Sequence, residues 1–415
     1  MANMGVAEAV KRFIGDAPGV KIEAFDGSSA GDPAGTATVE IRSPRALNYI
    51  ATGGGSLGLA RAFVMGDLDV DGDLYLAMRD LTNMDFTMSA RERVQALRAL
   101  GGLKLLRRPP IPPQEVVLKG RRHSKKRDAE AISHHYDVSN RFYEWILGPS
   151  MAYTCAVYPE LDASLETAQY TKHDLVARKL GLQPGMRLLD VGCGWGGMVM
   201  HAAKHYGVRA IGVTLSRKQA EWAQKAIAEN GLSELAEVRF LDYRDVPEGE
   251  FDAISSIGLT EHIGRAQYPS YFGFLLERLR VGGRLLNHCI TRRDNLDPAI
   301  REKEFINRYI FPDGELSGPG YILSAVHDAG FEVRHEENLR EHYAMTLRDW
   351  SANLEEHWDE AVEEVGLAKA RVWKLYLVGS RIGFERNDIQ LHQVLGVKLG
   401  PDHVSHMPLR PDWGA

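Results

Sequence analysis

The sequence predicts an α/β protein with a doubly wound, Rossmann-like sheet and a smaller α+β domain at the amino terminus. Two observations predict the sheet. Apolar, strand-like runs alternate with helical patterns between residues 187 and 290. The first run ends in a glycine-rich turn that leads into a helical pattern, as in the nucleotide-binding corner of such sheets. A length of 415 residues exceeds one ordinary domain, so we expect two or three.

Composition narrows the class of protein. With 44% hydrophobic and 26% charged residues the chain is typical of soluble globular proteins, and its formal charge of −6 argues against nucleic acid as the main partner. There is neither an apolar run of about 18 residues nor a basic-then-apolar start, so we expect a cytoplasmic location. The three cysteines are scattered and no Cys/His pair has ligand spacing, so we predict no disulfide framework and no metal site.

Residues 1–103 are predicted to form the amino-terminal domain. A strand-like run at 35–42 is followed by a helical pattern at 45–51 and an apolar segment at 57–65. The alternating aspartates of 67–73 are typical of a calcium loop, but its twelfth position would be Met78 instead of glutamate. We therefore favour a solvated turn there.

Residues 104–127 interrupt the regular patterns and are predicted to be a basic, proline-rich linker. Nine lysines and arginines stand against one acid, Glu115. Such a segment suits attachment to anionic lipid headgroups, at roughly 1 kcal/mol per cation near the surface. A solvated linker explains the charge equally well. Residues 128–415 are predicted to form the catalytic domain.

The glycine-rich turn at 187–197 is the strongest indication of a ligand. A dinucleotide site would have Gly-x-Gly-x-x-Gly with an acid about 20 residues later, whereas here Asp190 precedes Gly192 and Gly194. This form suits S-adenosylmethionine, because a carboxylate can bind its ammonium group and free backbone N–H groups can bind its carboxylate. A turn that only packs helix on strand is the other interpretation.

Further strands are predicted at 210–215, 238–241, 251–257 and 284–290, with helices at 217–230 and 268–279. In doubly wound sheets, ligands bind beyond the carboxyl ends of the strands. The polar candidates at or just past those ends are Asp190, Thr214, Asp242, Tyr243, Glu261 and His288.

Six segments occur in one order: 135–143, 151–156, 189–196, 212–219, 258–264 and 307–314. Among them are Met-Ala-Tyr-Thr-Cys-Ala at 151–156 and Gly-Leu-Thr-Glu-His-Ile-Gly at 258–264. Together they resemble the cyclopropane-fatty-acyl-phospholipid synthase family, over about residues 30 to 400. The resemblance implies the seven-stranded fold of S-adenosylmethionine-dependent methyltransferases. It also implies methylene addition at the cis double bond of a phospholipid acyl chain, and a role in lipid engagement and assembly for residues 1–103.

The resemblance also implies two ligand sets. A bicarbonate ion would be held by Cys155, Glu261, His288, Ile290 and Tyr343. The cofactor would be bound by Tyr153, Thr154, Gly192, Gly194, Thr214, Gln219 and Tyr243, which join Asp190 and Asp242. The chain departs from the family pattern at Thr154, where serine is usual, at Cys289, where threonine is usual, and at 259–260.

The implied chemistry sets conditions on the site. An alkene that attacks a sulfonium methyl group becomes a carbocation, so the pocket must exclude water and tolerate positive charge. The aromatic candidates for that task are Tyr143, Trp145, Tyr153 and Tyr309. Glu261 must be protonated, or paired with histidine, to lie beside an anion.

The product and two rival functions stay open. The long amino-terminal domain and the tail at 406–413 look like those of actinobacterial members of the family, some of which make methylene lipids. This resemblance slightly favours a 10-methylene lipid, the precursor of a methyl branch, over a cyclopropane. A methyltransferase for small polar molecules would have a polar pocket, but 305–311 and 372–384 are apolar. A non-catalytic lipid-binding protein would be expected to lack Asp190, Glu261 or His288, and all three are present. The alternative interpretation of His288 is a core histidine with satisfied hydrogen bonds.

The expected partners follow from this interpretation. They are an unsaturated phospholipid acyl chain and an anionic membrane surface, with peripheral association at the inner face of the membrane. A separate reductase is implied if the product is a methylene lipid, and a homodimer is compatible with the helical patterns.

Overall fold

A computed structural model describes residues 4–15, 19–82, 96–116, 122–123, 127, 138–296, 298–299 and 304–413. The chain forms two compact units. Unit 1 comprises Met1–Val117, Glu302–Ile310 and Trp358–Ile382, and unit 2 comprises Leu118–Arg301, Phe311–His357 and Gly383–Ala415. Unit 1 thus includes two segments from the carboxyl-terminal half of the chain, which a division into consecutive domains does not assign to it. The boundaries at 103/104 and 127/128 stay a prediction.

Unit 1 is built on a four-stranded sheet with the strand order β2-β1-β3-β4. The strands are β1 (Val20–Ala24), β2 (Ser29–Gly31), β3 (Ala37–Ile41) and β4 (Leu68–Gly72). The helices are α1 (Val6–Ile14), α2 (Pro44–Gly53), α3 (Gly55–Val64), α4 (Leu74–Thr82), α11 (Phe305–Tyr309), α14 (Trp358–Val365) and the part of α15 (Leu367–Glu385) up to Ile382. This mixture confirms the predicted α+β class of the amino-terminal part.

The predicted solvated turn at 67–73 is wrong. Residues Leu68–Gly72 form β4, which pairs antiparallel with β3. Leu68 and Val70 join the apolar core of the unit, whereas Asp71 is exposed. The alternation that resembled a calcium loop is therefore the period-two pattern of a half-buried strand.

Unit 2 contains a seven-stranded sheet with the order β10-β11-β9-β8-β5-β6-β7. Its strands are β5 (Arg187–Val191), β6 (Arg209–Thr214), β7 (Ala236–Phe240), β8 (Phe251–Ile257), β9 (Leu279–Arg292), β10 (Glu332–Asn338) and β11 (Ile389–Val397). Its helices are α5 (Asn140–Leu147), α6 (Leu165–Leu180), α7 (Gly197–Tyr206), α8 (Arg217–Glu229), α9 (Thr260–Ile263), α10 (Tyr268–Arg278), α12 (Pro319–Asp328) and α13 (Arg340–Glu356). β5 to β9 run parallel, and β11 is antiparallel to both β9 and β10.

Two apolar layers cover the faces of this sheet. Leu188 belongs to the layer shared with α6, α7 and α8, and its neighbour Leu189 belongs to the layer shared with α10 and α12. Because successive side chains of a strand point to opposite faces, a strand buried on both sides is apolar throughout. The apolar runs of the sequence therefore predicted β5 to β8 to within a few residues and the later part of β9, whereas β10 and β11 were not predicted.

The strand order places a topological switch point between β5 and β8. The chain proceeds from β5 to β6 and β7 on one side, and β8 and β9 lie on the other side. Ligands of doubly wound sheets bind in the crevice that forms beyond such a point. The glycine-rich turn follows β5, and Gly258 follows β8.

One strand is longer than predicted. β9 continues to Arg292, so His288 lies within the strand instead of at its end. It is nevertheless paired with Ile257, the last residue of β8, and therefore lies level with the edge where β8 ends. In the part of the chain that the structure describes, we find no helix with an apolar stretch sufficient to span a membrane.

Candidate active site

Asp190 lies in β5 next to the turn and is buried. Ser255 of β8 donates a hydrogen bond to Asp190 Oδ1 across 2.6 Å. Burial raises the pKa of Asp190 to about 6, against the lowering effects of that hydrogen bond and of Lys172. The carboxylate is thus available at neutral pH to bind a cation, as the predicted ammonium contact requires.

The turn after β5 needs glycine for its backbone. Gly192 and Gly194 have φ values of 75° and 54°, which other residues rarely adopt. A β-carbon on Gly192 would meet Leu259 at 3.2 Å, whereas one on Gly194 would have no atom within 4 Å. Open space beside a left-handed glycine, just before the first turn of α7, leaves room for a ligand to approach the backbone.

The ends of β6 and β7 carry the other predicted cofactor contacts. Thr214 donates a hydrogen bond to Gln219 Oε1 across 2.7 Å, and both side chains are buried. Both carboxylate oxygens of Asp242 accept hydrogen bonds from the Arg244 guanidinium, at 2.8 and 2.6 Å. The Tyr243 ring packs edge-on against other rings in the α10 layer. Asp242 is therefore already engaged in an ion pair.

The loop that carries Tyr153, Thr154 and Cys155 lies beside the end of β8, because a β-carbon on Gly258 would meet Thr154 Cγ2 at 2.9 Å. The Tyr153 ring packs against Tyr143 and Trp350, at centroid distances of 5.8 and 5.4 Å. Cys155 is fully buried, and burial raises the pKa of its thiol well above the ordinary value. The thiol is therefore neutral, which agrees with a contact role and not with a nucleophile.

Glu261 and His288 lie on adjoining elements. Glu261 is in α9, directly after β8, and its Oε1 accepts a hydrogen bond from the Ile290 backbone N–H across 3.4 Å. Burial raises the pKa of Glu261 to about 7. The backbone N–H of Gly258 donates to the carbonyl of His288 across 2.8 Å. The structure thus brings Glu261, His288 and Ile290 together at this edge of the sheet.

Tyr343 joins the same region through α13. The Cys155 thiol lies 3.7 Å from the carbonyl oxygen of Leu339, and the Tyr343 backbone N–H donates to that same oxygen across 3.2 Å. The Tyr343 ring contacts Trp350, which also contacts Tyr153. The first turn of α13 therefore connects Tyr343 to the loop of Cys155.

The aromatic residues predicted to stabilise the cation lie in different parts of the structure. Tyr143 is fully buried and packs against Tyr153 and Trp195, near the glycine-rich turn. Trp145 stacks on His357 with Arg141 over its ring, and Tyr309 belongs to unit 1, where it packs on Phe305.

Lys172 of α6 is a site residue that sequence reasoning missed. Its side chain is buried, and its ammonium donates to Thr154 Oγ1 across 2.8 Å. Burial lowers the pKa of Lys172 to about 8, although the carboxylate of Asp190 opposes this shift. The sequence gives one indication that Lys172 is buried: it lies on the apolar side of a helical pattern, three residues before Leu175.

The residues present fit the predicted anion. Within the described part of the chain, Glu261 Oε2 and His288 Nε2 are buried and have no hydrogen-bond partner. Buried polar atoms are normally paired, so two such atoms in one region suit a small polar ligand. A protonated Glu261 is a donor of the kind that an oxyanion needs.

The predicted basic linker is only partly described. Lys119, Arg121, Lys125 and Lys126 lie outside the described residues, as do 135–137 of the first quoted segment. Both carboxylate oxygens of Asp313 accept hydrogen bonds from Arg127, at 2.7 and 2.6 Å. In unit 1, Glu115 pairs with Arg61 across 2.7 Å. Arg127 is therefore engaged within unit 2 and is a poor candidate for lipid contact.

Comparison with known proteins decides the family. The model of the family described as mycolic acid cyclopropane synthetase matches residues 123–394. The chain belongs to this family. It is 56% identical over 406 residues to a probable fatty acid methyltransferase of Mycobacterium tuberculosis, covering 95% of this chain and 94% of that protein. It is also 37% identical to a probable fatty acid methyltransferase of Pseudomonas putida, covering 94% of each chain.

Among solved structures, a mycolic acid cyclopropane synthase in complex with SAH and CTAB is 33% identical. The match covers 65% of this chain and 98% of that one, with a TM-score of 0.62. These comparisons confirm the predicted family and the predicted methyltransferase fold. They also confirm the prediction that the protein is an enzyme of the mycolic acid cyclopropane synthetase family. The roles assigned to individual site residues stay predictions.

Proposed function

We propose that the protein is an S-adenosylmethionine-dependent C-methyltransferase that adds a methylene carbon at the cis double bond of an unsaturated phospholipid acyl chain. The cofactor residues are those at the carboxyl ends of β5 to β7 and in the loop of Tyr153. The observation that carries the proposal is the pair of buried atoms without a hydrogen-bond partner in the described part of the chain, Glu261 Oε2 and His288 Nε2, at the edge of the sheet where β8 ends. The relatives named as fatty acid methyltransferases support it, as does the neighbour that holds SAH and CTAB, a long-chain surfactant.

When bound, S-adenosylmethionine would supply a methyl group to the double bond, and bicarbonate would supply the base for one proton of the methylated chain. The double bond would gain this carbon at the expense of the carbon–sulfur bond of the donor, and a cation would be left on the neighbouring carbon of the acyl chain. Loss of a proton from the added methyl with ring closure gives a cyclopropane. A hydride shift before the same proton is lost gives an exocyclic methylene.

The chain's own residues would protect this cation. Tyr143 and Tyr153 present aromatic faces, each worth roughly 0.5 to 2 kcal/mol toward a cation. Cys155 and His288 are fully buried, which favours exclusion of water. Glu261, His288, Ile290, Cys155 and Tyr343 would hold the anion, and Glu261 would donate to it in its protonated form.

The deciding experiment uses S-adenosylmethionine with a fully deuterated methyl group and vesicles of dioleoyl phosphatidylglycerol. Acyl methyl esters are then analysed by mass spectrometry. We expect an oleoyl ester that has gained one carbon with two of the three deuterium atoms, because one is lost in either fate of the cation. Ozonolysis cleaves a methylene product and spares a cyclopropane.

Other outcomes separate the rivals. Deuterium confined to a water-soluble product with all three atoms retained would indicate a methyltransferase for small molecules. Lipid binding without any transfer would indicate a non-catalytic lipid-binding protein. Activity lost in carbonate-free buffer and restored by bicarbonate is the result expected from the proposed base.

Membrane attachment is the second part of the proposal, and residues 103–111 of unit 1 carry it. Leu103, Leu106 and Ile111 are 87%, 65% and 61% exposed. Lys104, Arg107 and Arg108, between and beside them, are also exposed. Apolar side chains with cations at their flanks suit the boundary between anionic headgroups and acyl chains.

Cosedimentation with phosphatidylglycerol vesicles tests this surface. Replacement of Arg107 and Arg108 by glutamine should reduce binding about 30-fold, since each cation near the surface is worth roughly 1 kcal/mol and 1.4 kcal/mol is about a factor of ten. Replacement of Leu103 and Leu106 by serine should also reduce binding, because it removes the apolar side chains that enter the acyl-chain boundary. The matched control is Leu409→Ser, because Leu409 is also fully exposed. Equal binding to phosphatidylcholine vesicles would contradict the electrostatic part, and an equal loss in the control would contradict the choice of surface.

A further inference from the structure

Three neighbouring strands form a polar rung through His288. Gln393 of β11 lies directly opposite Glu337 of β10 on one side and directly opposite His288 of β9 on the other. Residues directly opposite each other in antiparallel strands project from the same face of the sheet. Gln393 and His288 are fully buried, whereas the Glu337 side chain is 37% exposed, so the rung runs from the surface of unit 2 into its interior.

Lys179 of α6 completes the rung. Its buried ammonium pairs with the Glu337 carboxylate and donates to Gln393 Oε1 across 2.7 Å. A lysine ammonium can only donate hydrogen bonds, so the atom of the Gln393 amide that faces it must be the oxygen. The amide nitrogen of Gln393 is therefore turned toward His288.

The orientation of Gln393 determines where the His288 ring carries its proton. Gln393 Nε2 lies 3.2 Å from His288 Nδ1. Because the amide nitrogen can only donate, Nδ1 must accept, and the proton of the neutral ring lies on Nε2. His288 Nε2 is the buried atom that has no partner within the described residues.

We propose that Lys179 and Gln393 are positioning residues that hold His288 as the neutral tautomer with its proton on Nε2, so that the ring donates a hydrogen bond to the bound anion. The role of the anion rests on the proposed function. The tautomer itself rests only on the contacts of the rung. Burial, with the charges of Lys172 and Lys179, keeps the pKa of His288 well below its ordinary value, which agrees with a neutral ring.

Nitrogen-15 NMR of the full-length protein, labelled at histidine, tests the tautomer without turnover. The signals of His288 among the 15 histidines are identified by their loss in His288→Gln. We expect a protonated Nε2 and an unprotonated Nδ1 across neutral pH, and an Nε2 shift when bicarbonate is added. A protonated Nδ1 in the wild-type protein overturns the proposal, and so does an Nε2 signal that bicarbonate leaves unchanged.

Gln393→Glu tests the positioning role of Gln393. A carboxylate at this position accepts hydrogen bonds from both Lys179 and His288, so it should move the ring proton of His288 to Nδ1. We expect methyl transfer to fall about 10- to 100-fold, as for other groups that orient a functional histidine, with the KM for S-adenosylmethionine unchanged. Gln390→Glu is the matched control: it adds the same charge to β11 at a position of opposite parity. In the His288→Gln background, Gln393→Glu should have no further effect on turnover.

The outcomes distinguish the two proposals. Protonation on Nε2 with a bicarbonate-dependent shift, but no methyl transfer to lipid, would leave this assignment standing and remove the proposed function. If Gln393→Glu fails to fold, Lys179→Met serves instead, since an amide freed from the ammonium can rotate. If the ring proton stays on Nε2 in every folded variant and turnover is unchanged, Lys179 and Gln393 do not position His288, and the proposal is wrong.

Discussion

Lys172 Nζ donates to Thr154 Oγ1 across 2.8 Å and thereby places a buried ammonium next to the loop that carries Cys155. The same charge lowers the pKa of Asp190 and that of His288. One lysine thus affects the pKa of Asp190, a predicted ligand of the cofactor, and the pKa of His288, a predicted ligand of the anion. Its own pKa of about 8 means that it is still mostly protonated at neutral pH.

Lys172→Met should weaken S-adenosylmethionine binding in a pH-dependent way. Without the ammonium, the pKa of Asp190 rises further above about 6, so a larger fraction of the carboxyl is protonated and cannot bind the ammonium of the cofactor. We expect a loss of about fivefold in affinity at pH 6 and a smaller loss at pH 8, since a rise of about one pKa unit reduces the ionised fraction at pH 6 from about one half to about one tenth. Isothermal titration calorimetry at both pH values measures this.

The control for this prediction is Lys179→Met, which removes the other buried lysine of α6 and should leave cofactor affinity unchanged. Equal weakening at pH 6 and pH 8 in Lys172→Met would contradict the electrostatic explanation and indicate a packing effect.

Glu261→Gln should separate chemistry from binding. The amide keeps the size of the side chain but cannot reproduce the carboxyl that orients a base, and a positioned base is worth about 100-fold or more. Methyl transfer should fall by that factor, with the Kd for S-adenosylmethionine changed less than about twofold, because Glu261 is not among the predicted cofactor contacts. Glu234→Gln, at an exposed position, is the control. Normal turnover in Glu261→Gln would remove the bicarbonate proposal.

The same substitution should change how stability depends on pH. Burial raises the folded-state pKa of Glu261 from 4.5 to about 7, so the folded protein holds this proton more tightly than the unfolded chain does. The corresponding stabilisation is fully present below pH 4.5 and is lost as the pH rises to 7. Its size is on the order of 3 kcal/mol, at about 1.4 kcal/mol per pKa unit.

Urea unfolding without ligands measures this dependence. The wild-type protein should lose stability relative to Glu261→Gln between about pH 5 and pH 7. Parallel stability curves for the two proteins over that range would contradict the raised pKa.

Sequence patterns predicted β5 to β9 of unit 2, which read as apolar runs. They did not predict β10, which is polar and only partly buried, or β11. They also predicted that Asp190 and Glu261 lie at the ends of neighbouring parallel strands, which meet at one edge of the sheet, whereas the roles of the two residues stay predictions. β4 was mistaken for a turn because its aspartates alternate with Leu68 and Val70, and a calcium loop shares that alternation. Local patterns do not distinguish the two without the partner strand β3.

Lys172 and Lys179 could not be predicted from local patterns. A lysine on a helix is normally solvated, and only tertiary contacts show that these two are buried against polar partners. The register that aligns Glu337, Gln393 and His288 joins β9 to strands more than 40 residues further along the chain, so no short-range spacing encodes it. The assignment of residues 358–382 to unit 1 has the same long-range origin.

Gly194→Ala should damage cofactor binding more than stability. Gly194 has φ of 54°, so alanine there costs about 1 to 2 kcal/mol of folding free energy, and its β-carbon would point into the open space of the turn. Gly231→Ala is a matched control, because Gly231 has φ of 68° and likewise no atom within 4 Å of an added β-carbon. Both variants should lose similar stability by urea unfolding. Only Gly194→Ala should lose about 10-fold or more in S-adenosylmethionine affinity, because only there does a ligand need close approach to the backbone. Equal affinities in the two variants would place the cofactor away from this turn.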